Sequence, residues 1–563
     1  MKYSRWLVPV IILVMLLSVS VSLFSLYQTR ASMAALESVP AVSPLVARSA
    51  PIGDAVPSMR LSLSINLSLR NTADLARYVQ AEYTPGSYLF HRYLSAAEFA
   101  ALYGPTAQDV QQVAGFLRAQ GFSVTRAVAG QQVIDFSGTV AQAEQSFGVQ
   151  IHTYRAGNGR VFYANSAAPR VPLALRPLIA NINGLDNATA RAHPPLRSPR
   201  SISPARSPRS IVCPGPGSDA LEYLLPSQFS SAYNFTGAYN AGLRGEGQGI
   251  ALFELDGYSG SDIAAFQSCY DKNSPTRINN VLIDGGVATP GSGAIEVELD
   301  MEVVLGTLNG LTNLFVYQAP NTATGYNDEW NQIVQDDIPV VSTSWGLCEP
   351  QMSASDVQAE NGFFVQADAQ GQSILTAAGD NGAFDCGDGT LAVDDPASNP
   401  NITGVGGTHL IVNSSSSYSS ESVWSGTPNS FNGGGGGISQ LWTMPSYQSG
   451  PGVINGSSSG SPCSAPSGQY CREVPDVSLN ADPTVGYVVY CTVATAQCDP
   501  SAPFIPVGGT SAAAPMWAGV VALTDQYELE HGGTNLGFLN PLLYTLFSSS
   551  TLYSRVFHDV TSG

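Results

Sequence analysis

The sequence predicts an α/β protein whose doubly wound parallel sheet follows a small α+β domain. Three observations predict it. After residue 216, short apolar runs alternate with stretches of helical spacing, the pattern of repeated strand–helix–strand units. Residues 61–187 carry their own set of short strands and amphipathic helices. Between the two lies a basic stretch of Pro, Ser and Arg, which cannot bury a core and reads as a linker.

The 563 residues leave room for several domains, and a hydrophobic content of 44% supplies their cores. Charge is split along the chain. Residues 1–212 hold 19 Lys+Arg against 9 Asp+Glu, a balance of +10, whereas residues 213–563 hold 5 against 34, a balance of −29. A C-terminal part with so few cations loses few ion pairs when its carboxylates protonate, which suits an acidic medium. An acidic secreted surface gives the same composition. The balance argues against nucleic acid as a partner.

Residues 1–35 read as a signal peptide or a membrane anchor. Lys2 and Arg5 precede a run from Trp6 to Tyr27 with no charged residue, long enough to span a bilayer, for which about 20 residues suffice. Either reading sends the rest out of the cytoplasm, secreted or anchored facing outside, with membrane contact only if the segment stays uncleaved. Residues 36–60 read as a spacer. In the domain at 61–187, Ser95 to Glu98 has the spacing of a capping box, and Asp109–Ala119 and Val140–Phe147 have helical spacing. In the linker at 188–215, Arg197-Ser-Pro-Arg-Ser-Ile202 recurs as Arg206-Ser-Pro-Arg-Ser-Ile211, an exposed stretch suited to proteolytic processing.

From 216 to 563, Ile250–Leu255, Leu314–Tyr317, Ile338–Ser342, Ile374–Ala378 and Ile402–Val405 read as buried parallel strands. Helical spacing falls near 261–270, 296–305, 327–335 and 353–369. All eight cysteines lie beyond residue 212, and an even count in an exported segment favours disulfides. Cys463 with Cys471 and Cys491 with Cys498 are sequence-local pairs, leaving Cys348 with Cys386 and Cys213 with Cys269. That is one of the 105 connectivities that eight cysteines allow. Zinc is the competing use, but no CxxC or Cys/His cluster supports it.

The chemistry centres on Gly508-Gly509-Thr510-Ser511, followed by three alanines and Pro515. Two glycines make a tight turn, and Ser511 stands at a helix entrance beside main-chain N–H groups. A serine N-cap is the plainer reading, and the glycine pair and Pro515 turn it towards a nucleophile. A nucleophilic serine needs a base. Of the histidines, His409 lies in an apolar strand-like run and His531 and His558 follow Ser511, so the base falls to a carboxylate. Glu296-Val-Glu-Leu-Asp300 offers one, because Glu296 and Asp300 share a helix face and close carboxyls share a proton readily in acid. Glu298 and Glu302 lie off that face and read as solvated or supporting. Asp380, in Gly379-Asp-Asn-Gly382 directly after a predicted strand, would donate to a developing oxyanion when protonated. An acidic helix surface and a turn aspartate are the plainer readings of these two segments.

Glu296, Asp300, Asp380 and Ser511, in that chain order, resemble the serine-carboxyl peptidases of the sedolisin–kumamolisin family. The resemblance implies a subtilisin-like catalytic domain at 216–563 and a pro-kumamolisin activation domain at 61–187, the latter carried by Phe99, Gly104-Pro105, Phe136 to Thr139 and Phe147-Gly148. It implies Ser511 as nucleophile, Glu296 as base and later acid, Asp300 as its orienting partner and Asp380 for the oxyanion. Phe253-Glu254-Leu255 and Ser344-Trp345-Gly346 resemble segments whose Glu and Trp, here Glu254 and Trp345, extend the hydrogen-bond network. Gly434 and Gly435, in the run Gly434 to Gly437, follow the family's substrate-binding pattern, and Asp394 resembles an acidic residue lining the pocket for the substrate side chain. Phe557-His558-Asp559-Val560 resembles the start of the family's calcium loop, with the Asp559 carboxylate and the Val560 carbonyl as ligands. The chain stops at Gly563, before the remaining ligands, so the expected site is incomplete or the loop truncated.

The combined expectation is a monomeric acid-acting endopeptidase with protein or peptide substrates, held latent by its own propeptide as an intramolecular inhibitor. A histidine-based subtilisin relative using His409 and a non-catalytic scaffold are the rival readings.

Overall fold

The computed structural model describes residues 36–157, 159–188, 191, 196–197, 213–215, 223–271, 276–426 and 432–563. The expected signal or anchor at 1–35 and most of the linker at 188–215 lie outside them. Among the described residues no helix is long and apolar enough to cross a membrane.

The first domain is built on a four-stranded antiparallel sheet of β1 (Arg60–Leu67), β2 (Ser123–Ala127), β3 (Val133–Thr139) and β4 (Ile179–Asn183), in the order β2–β3–β1–β4. Its helices are α1 (Thr72–Glu82), α2 (Ala96–Leu102), α3 (Ala107–Ala119) and α4 (Val140–Phe147). The Ser95–Glu98 capping box forms: Ser95 N–H donates to Glu98 at 2.9 Å and Glu98 N–H donates back to Ser95 Oγ at 3.3 Å. Leu63, Ile65, Val113, Leu117, Ile134, Phe136 and Phe147 close one core between sheet and helices. The stretch expected as a spacer at 36–60 is instead part of this domain. Leu36–Ser38 pairs with Arg170–Pro172 and Ala50–Asp54 with Ile151–Arg155, because Val39, Ala41 and Ala55 drop into the same core.

The second domain is an eight-stranded sheet. Its strands are β5 (Gly249–Glu254), β6 (Arg277–Leu282), β7 (Asn313–Gln318), β8 (Val340–Thr343), β9 (Ser373–Ala377), β10 (Thr403–Val412), β11 (Tyr418–Val423) and β12 (Val477–Asn480). They run β6–β7–β5–β8–β9–β10–β11, with β12 also on β10. All pairings are parallel except β10 with β11. The order leaves β5 in mid-sheet and steps to both sides of it, so the carboxyl ends of β5, β8 and β9 open on one crevice. Between strands run α5 (Gly260–Tyr270), α6 (Ala294–Thr307), α7 (Ala323–Asp336) and α8 (Ala354–Gln370). A strand at Phe504–Gly508, β13, feeds the long helix α9 (Thr510–Glu530). The four disulfides join Cys213 to Cys269, Cys348 to Cys386, Cys463 to Cys471 and Cys491 to Cys498, the expected pairing, in which spacing pointed to the last two and the others were the remainder.

The helix carrying the paired carboxylates is central. From Ala294 to Leu305 every residue of α6 is buried, because it is wedged between α9, α5 and the strand Gly486–Tyr490. Val297, Leu299, Met301 and Leu305 each contribute about 1.5–3 kcal/mol of apolar burial, which offsets the cost of placing four carboxyls on the same helix. Glu298 and Glu302, expected as solvated or supporting, are not solvated: they are 0% and 1% exposed. Main-chain donors explain their tolerance: Ser259 N–H reaches Glu298 at 3.0 Å and Tyr490 N–H reaches Glu302 at 2.7 Å.

Candidate active site

Ser511 lies in the first turn of α9 and is fully buried. The turn before it requires glycine. Gly509 has φ +127°, and a Cβ there would sit 2.6 Å from Asp380 Oδ2, so only a hydrogen at that position lets the carboxyl approach. Asp380 follows β9 and takes two donors from the residue before the serine, Thr510 N–H at 2.7 Å and Thr510 Oγ1 at 2.9 Å, both on Oδ1. Asp380 is thereby fixed against the start of the helix that carries Ser511.

The carboxylate helix meets the same point from the other side. Ser344, just beyond β8, donates to Asp300 Oδ1 at 2.9 Å, and the same hydroxyl lies 3.3 Å from the Ser511 carbonyl oxygen. One side chain therefore ties Asp300 to the main chain of residue 511. Glu296, one turn before Asp300 on α6, is 1% exposed. Asp256 holds the entrance of that helix, accepting from Gly291 N–H and Gly293 N–H at 2.8 Å each. Gly293 makes room for Trp345, whose ring edge would lie 2.6 Å from a Cβ there. Trp345 Nε1 donates to Glu254 Oε2 at 2.8 Å, and Glu254, the last residue of β5, is 0% exposed.

Desolvation dominates the electrostatics of this group. Burial pushes the Glu254 carboxyl well above the usual carboxylate range, and the neighbouring Asp300 adds to it while the Trp345 N–H pulls it down. Burial likewise raises Asp300, opposed by the Ser344 hydroxyl. Such groups keep protons at acidic and mildly acidic pH.

Of the remaining expected residues, the glycine run and Asp394 lie beside Gly379, at the end of β9. Gly435 N–H donates to the Gly379 carbonyl at 2.7 Å and Gly434 N–H to the Trp424 carbonyl at 2.9 Å, laying the glycine run along the end of β9. Asp394 is buried, with its Cβ 3.6 Å from where a Cβ on Gly379 would stand. His409, in the apolar run that forms β10, is partly exposed, and its Nδ1 lies 2.8 Å from Asp482. Asp559 accepts from the Tyr553 hydroxyl at 3.0 Å, and just beyond Val560 the Ser562 carbonyl accepts from Val423 N–H of β11 at 2.7 Å. Calcium takes six to eight oxygens, so Asp559 and Val560 alone do not hold it. Elsewhere among the described residues Asp262, Glu298 and Cys491 bring possible ligand atoms together, but Cys491 is committed to its disulfide.

Two contributors were missed in the sequence. Ser344 acts as a bridge and Thr510 anchors Asp380, and a hydroxyl next to a flagged residue was the only signal for either.

A parallel α/β sheet with a buried serine at a glycine turn, preceded by a separate α+β domain, defines a subtilase-fold peptidase made with a propeptide. The comparisons agree. The "Pro-kumamolisin, activation domain" profile matches residues 47–188 and the "Subtilase family" profile residues 301–535. Kumamolisin of Bacillus sp. (strain MN-32) is 32% identical over 524 residues, covering 91% of this chain and 86% of that protein. Sedolisin of Pseudomonas sp. (strain 101) is 30% identical, covering 89% and 81%, and tripeptidyl-peptidase 1 of Rattus norvegicus is 29% identical, covering 91% and 86%. The solved structure of Pseudomonas sedolisin, a serine-carboxyl proteinase complexed with two molecules of pseudo-iodotyrostatin, superposes with a TM-score of 0.52 at 26% identity, over 61% of this chain and 89% of that one. The chain belongs to the kumamolisin–sedolisin family and is a serine-carboxyl peptidase with an activation domain.

Proposed function

We propose that the chain is an exported endopeptidase that acts in acid on protein or peptide substrates, as a monomer released from its own propeptide. Ser511 is the nucleophile and Glu296 the general base, with Asp300 orienting Glu296 and Asp380 facing the oxyanion. The observation that carries this reading is the Ser344 bridge between Asp300 and the main chain of Ser511, which puts the buried carboxyl helix against the nucleophile's own turn.

In this mechanism Glu296 takes the Ser511 proton as Oγ attacks the scissile carbonyl. The tetrahedral oxyanion accepts from a protonated Asp380 and a main-chain N–H. Glu296 then returns its proton to the leaving amine, and water cleaves the acyl-enzyme with the roles reversed. Acid is needed because Asp380 must carry a proton and the Glu296/Asp300 pair must share one. Trp345 and Glu254 hold the pair from behind, and Gly434, Gly435 and Asp394 form the substrate-facing wall. The Asp559 carboxylate and the Val560 carbonyl would supply two of the six to eight oxygens that a calcium ion takes, and no step depends on the ion.

Latency is supported by the contact between domains. Arg126 of the first domain pairs with Asp328 of the second, and Asn66 donates to Asn327 at 2.9 Å. In the linker the main chain of Leu196–Arg197 pairs antiparallel with β13, opposite Gly508 and Val507, the strand that leads directly to the nucleophile.

The test is Ser511→Ala. Incubated at about pH 4, the variant precursor should stay at full length while the unmutated chain shortens and degrades a denatured protein into internal fragments, followed by gel and mass spectrometry. Normal self-processing by the alanine variant overturns the assignment.

A further inference from the structure

The helix α7 carries a carboxyl that the mechanism above does not use. Tyr326, Glu329, Trp330 and Ile333 follow one another at helical spacing on one stripe, and all four are buried, Glu329 at 0% exposure. A glutamate inside an otherwise apolar stripe costs several kcal/mol if charged and unpaired, so it is there for a contact that a Leu would not make. That contact is with the site. Glu329 Oε1 accepts the main-chain N–H of Glu254 at 2.7 Å, and the Glu254 carbonyl in turn accepts Ala319 N–H at 3.1 Å, just beyond β7. Glu329 thus closes the carboxyl ends of two adjacent strands at the residue whose side chain receives Trp345.

We propose that Glu329 is a positioning residue for Glu254, holding the end of β5 in register with Trp345 and adding a carboxyl behind the proton-sharing set of Glu254, Asp300 and Glu296. The inference rests on the reading of that set as the proton-handling group. Its electrostatic side has a definite direction. Burial pushes Glu329 well above the usual carboxylate range, against the N–H groups of Glu254 and Ala319, and Glu329 itself helps to raise Glu254. The groups facing it are Glu254 on β5 and Tyr317 on β7, with Asp300 and Glu296 behind Glu254. Among the described residues no cation compensates them: Arg126 is taken by Asp135 and Asp328, and Arg191 by Glu360 and Asp395. Glu329 therefore keeps its proton in acid and ionises only on the high-pH side, where its charge makes the rest of the set hold their protons more tightly and extends activity towards higher pH.

Two variants of the full-length chain, matured in acid, separate the roles. Glu329→Gln keeps the acceptor for the Glu254 N–H but can never ionise. Glu329→Leu removes both. On a denatured protein at pH 4, initial rates should fall about threefold for Glu329→Gln and about tenfold or more for Glu329→Leu, because a buried N–H is then left without its acceptor. From pH 3 to pH 9, a range that takes in the raised titrations of these buried carboxyls, the high-pH limb of the Glu329→Gln profile should move down by about half a unit or more, a shift that a purely packing role would not produce. Equal rates for the two variants together with an unmoved limb overturn the proposal. If Glu329→Leu fails to fold, the limb of Glu329→Gln decides alone. Glu254→Gln is the control. A moved limb there with an unmoved one in Glu329→Gln sinks only the role of Glu329, whereas unmoved limbs in both sink the reading of the set as well.

Discussion

Glu296 and Asp300 differ from Glu298 and Glu302 by a small rotation about one helix, and that rotation decides their company. The first pair turns to Ser344, Glu254 and the helix that carries Ser511; the second turns to the main chain at Ser259 and Tyr490. Glu296→Gln tests the assignment at this scale. Its amide cannot accept the Ser511 proton, so kcat should fall about 10²–10⁴-fold with KM within a few-fold, measured by initial rates on matured enzyme. A loss below tenfold would remove Glu296 as base. The i, i+4 pair was legible in the sequence, as was the serine at its glycine turn. The burial of Glu298 and Glu302 was not, because helical spacing says which residues share a face and nothing about what covers the other one.

At the level of elements, the strand and helix runs expected from residue 250 to residue 405 fall on β5, α5, α6, β7, α7, β8, α8, β9 and β10, with ends moved by a few residues except that β10 runs on past Val405 to Val412. Apolar runs of that kind are legible because both faces of a parallel sheet are covered. The edge strands β6 and β11 escaped notice, being half-polar, with Asn279 and Asn280 in one and a run of Ser and Glu in the other. The apposition of the glycine run on β9 was also beyond the sequence. A Cβ on Gly435 would stand 1.9 Å from the Ala378 carbonyl oxygen and 2.6 Å from that of Gly379, backbone atoms with no flexible side chain to yield. Gly435→Ala should therefore push the run off the strand end beside Asp380 and lower the rate on a denatured protein about tenfold or more, with a smaller effect on thermal stability. A variant with wild-type rates would show that this wall is not used by substrate.

Across the whole molecule, buried carboxyls set the response to pH. Burial pushes Glu298 up to about 8, Asp525 to about 7, Glu349 to about 7 and, in the propeptide, Glu82 to about 9. Unfolded, these groups titrate near 4. Between about pH 4 and their raised values the folded chain binds protons that the unfolded chain has released, so stability falls as pH rises, by up to about 1.4 kcal/mol per unit for each group. The Ser511→Ala precursor, which cannot digest itself on the proposed mechanism, should melt at a lower temperature at pH 7 than at pH 4 in calorimetry. An equal or higher melting temperature at pH 7 would mean that these carboxyls are charged and compensated in the fold.

Residue types and their spacing by themselves determined the two domains, the parallel sheet, the disulfide partners of Cys463 and Cys491, and the candidate set of one serine and three acids. Each of these depends on neighbours a short distance along the chain, or on apolar runs that have only one way to be covered. Only the tertiary structure decided that residues 36–60 belong to the first domain, that four carboxyls of one helix are all buried, and that Ser344, Thr510 and Glu329 join the site. Those outcomes hang on contacts between segments tens to hundreds of residues apart, where a hydroxyl or a carboxyl acquires its meaning from what folding sets against it.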